Sequence, residues 1–90
     1  MSVRVIVHEP IRRMVKTGQV TLDWRGGTVA QLIDELARRY GPELKRELLD
    51  GDGNLDYTYR VFINDVESSG VGAVVKDGDE VIVLSPISGG

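Results

Sequence analysis

The protein has 90 residues, of which 41% are hydrophobic and 28% are charged, and its net charge is -3 at pH 7. This size and composition predict one soluble globular domain, and the mildly acidic balance argues against nucleic-acid binding, which would need a basic stripe. The sequence has no cysteine, signal-peptide core or membrane-length apolar run, which excludes disulfides and thiolate metal sites and predicts a cytoplasmic protein without membrane contact.

The first two predicted elements are strands that form a hairpin. Apolar residues occur at every second position in residues 3–7 and again in residues 20–24, and this is the period of a strand with one buried face. Pro10 ends the first strand because it cannot donate to a ladder, and residues 11–16 are predicted to be a connection to the second strand. The positions expected to face the core are Val3, Val5, Val7, Val20 and Leu22.

A helix follows Gly26-Gly27, where the apolar period changes from 2 to about 3.6. Thr28 and Gln31 have the spacing of a capping box at its start. Gly41 followed by Pro42 is the usual order at a helix end, and a second short helix is expected over residues 43–49. The apolar stripe of the main helix consists of Val29, Leu32, Ile33, Leu36, Ala37 and Tyr40.

The second half of the chain is predicted to complete the sheet. A third strand covers residues 59–63, and Asn64-Asp65 is a plausible tight turn into a short strand at Val66 and Glu67. Asp77-Gly78 turns the chain into a last strand over residues 80–84. A helix with one apolar stripe must cover a sheet face, so we predict an α+β domain in which the first and last strands lie side by side at the centre.

Two other features have ordinary interpretations. Residues 50–56 resemble the first half of a calcium-binding loop, but Leu55 and Val61 stand where an EF-hand needs glycine and glutamate. We therefore interpret this segment as a solvated acidic turn. Tyr57 and Tyr59 are interpreted as core or sheet-surface aromatics, because no spacing indicates a platform for stacking bases.

The sequence Ser88-Gly89-Gly90 follows the last strand closely and indicates a chemical role for the terminal group. Glycine has no Cβ, so a diglycine segment can enter a channel too narrow for any side chain. Pro86 resists further ladder pairing and marks the end of the sheet. We expect residues 85–90 to form a flexible tail that delivers the Gly90 carboxylate to the active site of another protein.

The C-terminal stretch carries a family resemblance. The sequence Asp77-Gly78-Asp79-Glu80-Val81, continuing to Ser88-Gly89-Gly90, resembles the ending of the MoaD/ThiS family of ubiquitin-like sulfur carriers, and most closely the small subunit of molybdopterin synthase. The helix start at Thr28-Val29 and the hairpin over residues 61–66 are also similar. Leu84-Ser85 departs from the family, which commonly has phenylalanine and proline there.

The resemblance implies a β-grasp fold, with one domain over residues 1–90, a mixed sheet of four to five strands and one main helix on one face. It implies a carrier that is not itself an enzyme. An E1-like enzyme would adenylate the Gly90 carboxylate with ATP, and sulfur from a persulfide donor would replace AMP to give a thiocarboxylate. No cofactor is expected to stay bound. The residues implied to lie in the groove of the partner enzyme are Leu84, Pro86, Ile87, Ser88 and Gly89.

The resemblance leaves the sulfur acceptor open. The favoured acceptor is the large subunit of molybdopterin synthase, in molybdenum or tungsten cofactor biosynthesis. Cysteine, thiamine and tRNA thiolation pathways use similar carriers and are alternatives. Two other functions are considered: a ubiquitin-like modifier joined through Gly90 to lysine amines, and an interaction domain whose tail is inert.

Overall fold

Seven strands and three helices follow one another along residues 1–85, the part of the chain that this computed structural model describes. Together they confirm the predicted α+β class. In chain order they are β1 (Ser2–Val7), α1 (Ile11–Val15), β2 (Gln19–Asp23), β3 (Gly26–Thr28), α2 (Val29–Tyr40), α3 (Pro42–Leu48), β4 (Arg60–Ile63), β5 (Val66–Glu67), β6 (Val74–Lys76) and β7 (Glu80–Leu84).

Five strands form a mixed sheet in the order β2-β1-β7-β4-β5. The first and last strands lie side by side at its centre, as predicted; this pair is parallel, and the other pairs are antiparallel. The remaining strands, β3 and β6, form a separate antiparallel pair. None of the helices in residues 1–85 is long and apolar enough to cross a bilayer.

One hydrophobic core joins the sheet to the helices. The alternation in β1 and β2 has the predicted effect, because every residue expected to face inward is buried. Val81 and Val83 of β7 and Val61 of β4 continue the same layer. The apolar stripe of α2 covers this layer through Val29, Leu32, Ile33 and Leu36.

The start of α2 confirms the predicted capping box. The backbone N–H of Gln31 donates to Thr28 Oγ1 at 3.2 Å, and the backbone N–H of Thr28 donates to Gln31 Oε1 at 2.8 Å. Two amides that the helix leaves without partners are thereby satisfied. Gly27 leaves room for this box, because a Cβ here would lie 2.5 Å from Gln31 Oε1 and 3.1 Å from Trp24 Cζ2, and the Gln31 side chain would have to move from its capping position.

Two local predictions are wrong. Residues 11–16 are not a simple connection, because Ile11–Val15 forms α1 and buries both Ile11 and Val15 in the core. Gly26-Gly27 does not merely interrupt the pattern, because it belongs to β3, whose partner β6 was not expected. Both elements are too short to be stable alone, so tertiary contacts determine them.

Candidate partner-docking site at the end of strand β7

The structure describes only the first of the predicted site residues. Leu84 is the last residue of β7, is half-buried, and has Arg60 of β4 as its Cα partner. Ser85 follows it and is also half-buried. The residues predicted to carry the chemistry or to enter the partner lie outside the described residues, so their roles stay predictions: Pro86, Ile87, Ser88, Gly89 and Gly90.

Strand β7 is held on both sides along its length. Its residues 80–83 pair in parallel with residues 4–7 of β1, and residues 81–84 pair antiparallel with residues 60–63 of β4. A central strand of this kind has no free edge. The direction and position of the backbone that precedes Ser85 are therefore fixed by its pairing with β1 and β4.

The Asp77-Gly78-Asp79-Glu80 sequence fixes the other end of β7. Gly78, with φ +89°, makes the turn that a side chain would strain, and its N–H donates to the Ser2 carbonyl at 2.8 Å. The backbone N–H of Glu80 donates to Asn64 Oδ1 at 2.9 Å, and Asn64 Nδ2 donates to Asp79 Oδ1 at 2.8 Å. This part of the family motif therefore joins β7 to β1 and to the β4–β5 turn.

The Asp79 carboxylate is stabilised in its ionised form. The backbone N–H of Lys76 donates to Asp79 Oδ2 at 2.8 Å, and this bond is the main reason that the pKa of the Asp79 carboxyl is below its usual range. Partial desolvation opposes the shift, and the hydrogen bond from Asn64 supports it. The turn before β7 is therefore expected to weaken in acid.

We expect Asp79→Asn to lower the free energy of unfolding at pH 7 by about 1 kcal/mol, because an amide cannot accept both hydrogen bonds. A depressed folded-state pKa means that the contribution is present above the unfolded-state pKa of about 3.9 and is lost as the pH falls through the folded-state value. Urea unfolding at pH 7 and at pH 3 should show the two proteins converging in acid. Asp52→Asn, in an exposed loop, is the control, and an equal pH effect there would contradict the assignment.

The face of the sheet that points away from the core carries an apolar patch. Ile6, Ile82 and Phe62 are Cα partners in one row across β1, β7 and β4. Leu84 lies two residues beyond Ile82 on the same strand and therefore on the same face. All four are half-buried and lie outside the hydrophobic core of the described residues. We call these four residues the open-face patch.

Charged pairs border the open-face patch. Arg4 and Glu80 form an ion pair on the row that precedes Ile82, and Arg60 Nη1 lies 3.3 Å from Glu67 Oε1 beside Phe62. An apolar centre with a polar rim is the usual composition of a protein interface. The patch thus provides a surface on which a protein can dock beside the exit of the chain from β7.

Sequence reasoning found Leu84 but missed the other three residues of the patch. The alternation was used only to assign the inward face, and the outward isoleucines were left without a role. The signal was the continuous apolar run at Val81-Ile82-Val83-Leu84. Such a run is typical of a strand that is covered on both faces.

The acidic segment at residues 50–56 is closed by its own hydrogen bonds. Asp50 Oδ1 accepts from the backbone N–H of Asp52 at 2.9 Å and of Asn54 at 3.0 Å. In residues 1–85 no group of three or more His, Cys, Asp or Glu side chains is placed to hold a metal ion. The neighbouring Tyr57 is not a core or strand residue as interpreted, because it lies in a turn and is 90% exposed.

The sequence matches the ThiS family over residues 5–90. No curated protein matches it at a significant level. A solved structure of the Amycolatopsis orientalis BexX/CysO complex contains a chain that is 30% identical, with a TM-score of 0.79, and the match covers 98% of this chain and 99% of that one.

Two other solved structures are similar in fold. SAMP1 from Haloferax volcanii is 24% identical with a TM-score of 0.83, and the match covers 100% of both chains. The putative molybdopterin converting factor subunit 1 from Pyrococcus furiosus is 23% identical with a TM-score of 0.72, and the match covers 96% of this chain and 98% of that one. These similarities confirm that the sheet and helix have the β-grasp, ubiquitin-like arrangement.

Proposed function

This chain belongs to the ThiS family of ubiquitin-like sulfur carriers, and on that premise we propose that it carries sulfur as a thiocarboxylate on Gly90. The observation that carries the proposal is that the family match runs through the diglycine that follows the central strand β7. Small carriers of this kind are generally not catalytic. We therefore assign the protein the part of a cosubstrate for other enzymes.

The first proposed step activates the Gly90 carboxylate. A carboxylate is a poor acylating agent because oxide is a very poor leaving group. An E1-like partner enzyme would bind ATP, and a Gly90 carboxylate oxygen would attack the α-phosphate and expel pyrophosphate. The product is an acyl-adenylate from which AMP leaves readily. ATP is a substrate of the partner, and the proposal includes no cofactor that stays bound to this chain.

The second proposed step introduces sulfur. The terminal sulfur of a persulfide donor attacks the Gly90 carbonyl carbon, AMP leaves, and an acyl disulfide forms. A thiol then reduces this disulfide and releases the Gly90 thiocarboxylate, so the reducing equivalents come from the thiol. The sulfur acceptor takes the sulfur from the thiocarboxylate, and hydrolysis returns the carboxylate for another cycle.

The open-face patch is proposed to dock these partner proteins. It spans β1, β7 and β4, and its member Leu84 ends β7 shortly before the residues that the partner must receive. The similar CysO chain was crystallised in a complex with BexX, which supports a role in protein docking for a carrier of this shape. We propose that Leu84 contributes to the docking surface while Pro86, Ile87, Ser88 and Gly89 lead Gly90 into the partner.

We propose molybdenum or tungsten cofactor synthesis as the destination of the sulfur, with the large molybdopterin synthase subunit as acceptor. The support is the resemblance of residues 75–90 to the small subunit of that enzyme. Incubation of the thiocarboxylated protein with that large subunit and its pterin substrate should produce a dithiolene. Transfer instead to a cysteine, thiamine or tRNA pathway would replace this destination without changing the carrier chemistry.

Intact mass spectrometry tests the carrier function. After incubation with the cognate adenylating enzyme, ATP and a sulfur source, the mass of the protein should rise by about 16, the difference between sulfur and oxygen. A competent enzyme that produces no such rise would overturn the proposal. Gly-Gly remnants on other proteins, lost when Gly90 is deleted, would instead assign the activated Gly90 to lysine modification.

A further inference from the structure

Tyr57 is the most exposed of the large hydrophobic side chains in residues 1–85. It is 90% exposed, whereas Tyr59, two residues later, is only 4% exposed. A single exposed apolar residue needs no special explanation. This tyrosine differs from such a residue in that hydrogen bonds hold the turn on which it lies.

A fixed turn presents Tyr57 to solvent. The backbone N–H of Tyr59 donates to the Asp56 carbonyl at 2.9 Å, and both the N–H and the hydroxyl of Thr58 donate to Asp56 Oδ1, at 2.9 and 2.7 Å. The backbone N–H of Asp56 donates to the Leu48 carbonyl at 2.8 Å. Since both neighbours of Tyr57 are held, a partner that binds its ring pays little conformational entropy for the backbone.

The residue that follows the turn, Tyr59, is buried. Tyr59 packs in the core, and its hydroxyl donates to Glu47 Oε2 at 2.6 Å. Burial, with further help from Glu47, raises the pKa of the Tyr59 hydroxyl above its usual range and so favours the protonated form that donates this bond. The turn is therefore fixed to α3 on one side and to the core on the other.

The turn lies at the end of the sheet from which the C-terminal residues leave. Arg60 is the Cα partner of Leu84. Tyr57 is three positions before Arg60, and consecutive Cα atoms are about 3.8 Å apart, so the Tyr57 Cα lies within about 11 Å of the Arg60 Cα. Tyr57 therefore belongs to the same end of the sheet as Leu84, and an enzyme that docks around this end meets the turn that carries it.

The charge around the turn indicates the character of the partner surface. Residues 50–56 contain three aspartates and no lysine or arginine. The hydrogen bonds from Thr58 are the main reason that the pKa of the Asp56 carboxyl is lowered, and they stabilise the negative charge that it carries at neutral pH. An enzyme that binds ATP uses cationic groups to hold the phosphates. A basic surface close to such a site is complementary to this acidic segment.

We propose that Tyr57 is a docking contact for the adenylating enzyme and helps to determine which enzyme charges this carrier. The ring enters an apolar pocket on the enzyme, and the acidic segment lies against basic residues around that pocket. Tyrosine is well suited to this role because it offers a large contact area with few rotatable bonds. This inference rests on the proposed sulfur-carrier function and adds a partner contact that lies outside the open-face patch.

ATP–pyrophosphate exchange by the cognate enzyme, measured against carrier concentration, tests the inference. Tyr57→Ala should raise the KM for the carrier about 10- to 30-fold with kcat within about twofold, as expected for a contact made equally before and during the reaction. Tyr57→Phe should stay within about threefold of wild type. Val74→Ala, which shortens a 61% exposed side chain on β6, is the matched control and should have no effect.

The outcomes separate this inference from the function on which it rests. If the wild-type protein supports no exchange and gains no sulfur, the proposed function fails. If the wild-type protein is charged and Tyr57→Ala is charged with an unchanged KM, only the contact is overturned. Normal charging of Tyr57→Ala with impaired sulfur release would also overturn it, because the tyrosine would then contact the sulfur acceptor. Melting temperatures within about 2 °C of wild type would show that the variants are folded.

Discussion

Deletion of Gly90 is expected to abolish thiocarboxylate formation completely while it leaves the domain folded. The proposed reaction forms its bonds at the Gly90 carbonyl carbon, and without Gly90 the terminal acid would lie one residue short of the catalytic groups of the adenylating enzyme. A displacement of even 1 Å from the reacting geometry can cost about 100-fold in rate. Intact mass spectrometry should show no rise of about 16 in the deleted protein under conditions that fully charge the wild type.

The melting temperature is the control for this deletion. Terminal residues usually contribute little burial, so the deleted protein should melt within about 2 °C of wild type. Substitution Gly89→Val is a second variant that retains the chain length, and it should also prevent charging because a branched side chain obstructs a narrow channel. Normal charging of the deleted protein would contradict the assignment of Gly90 as the reacting residue, and normal charging of Gly89→Val would contradict the narrow channel.

Substitution Ile82→Glu is expected to weaken docking of the adenylating enzyme by about 10- to 100-fold. Ile82 is the centre of the open-face patch, with Ile6 and Phe62 as its Cα partners on either side. A carboxylate here would have to lose its hydration when a partner covers the patch, without a new ion pair to compensate. The dissociation constant of the carrier for the enzyme, measured by calorimetry, should report this loss.

Two matched variants distinguish docking from folding. Ile82→Val retains an apolar side chain and should bind within about threefold of wild type. Val74→Glu introduces the same charge at an exposed position of the second sheet and should leave binding unchanged. If Ile82→Glu binds normally while its urea unfolding midpoint equals that of wild type, the open face of the sheet is not the docking surface.

The parts of this fold that could be predicted from sequence are those whose signals are local. Helix α2 has an apolar stripe, a capping box at Thr28 and Gln31, and a glycine at its end, so its limits follow from adjacent residues. Strands β1 and β2 could be identified from their alternation, and β7 from the short apolar run that follows the Asp77-Gly78 turn. Asn64 and Asp65, both with positive φ, form the turn that these residue types favour.

The missed elements depend on residues far away in sequence. Strand β3 has only three residues, and its place beside β6 depends on contacts such as the 3.0 Å hydrogen bond from Trp24 Nε1 to the Val75 carbonyl. The open-face patch was missed because a one-sided core explains only alternate residues of β7, and Ile82 becomes significant only beside Ile6 and Phe62. The predicted role of Gly90 came from its residue type and the family resemblance.

The central position of β7 also determines how the domain responds to tension. A partner that draws the C-terminal residues inward pulls β7 along its own axis. Its hydrogen bonds to β1 and β4 lie across that direction, so they share the load and must yield together. A strand at the edge of the sheet, pulled sideways, would peel away one bond at a time. The domain is therefore expected to resist unfolding when an enzyme pulls on its C-terminal residues.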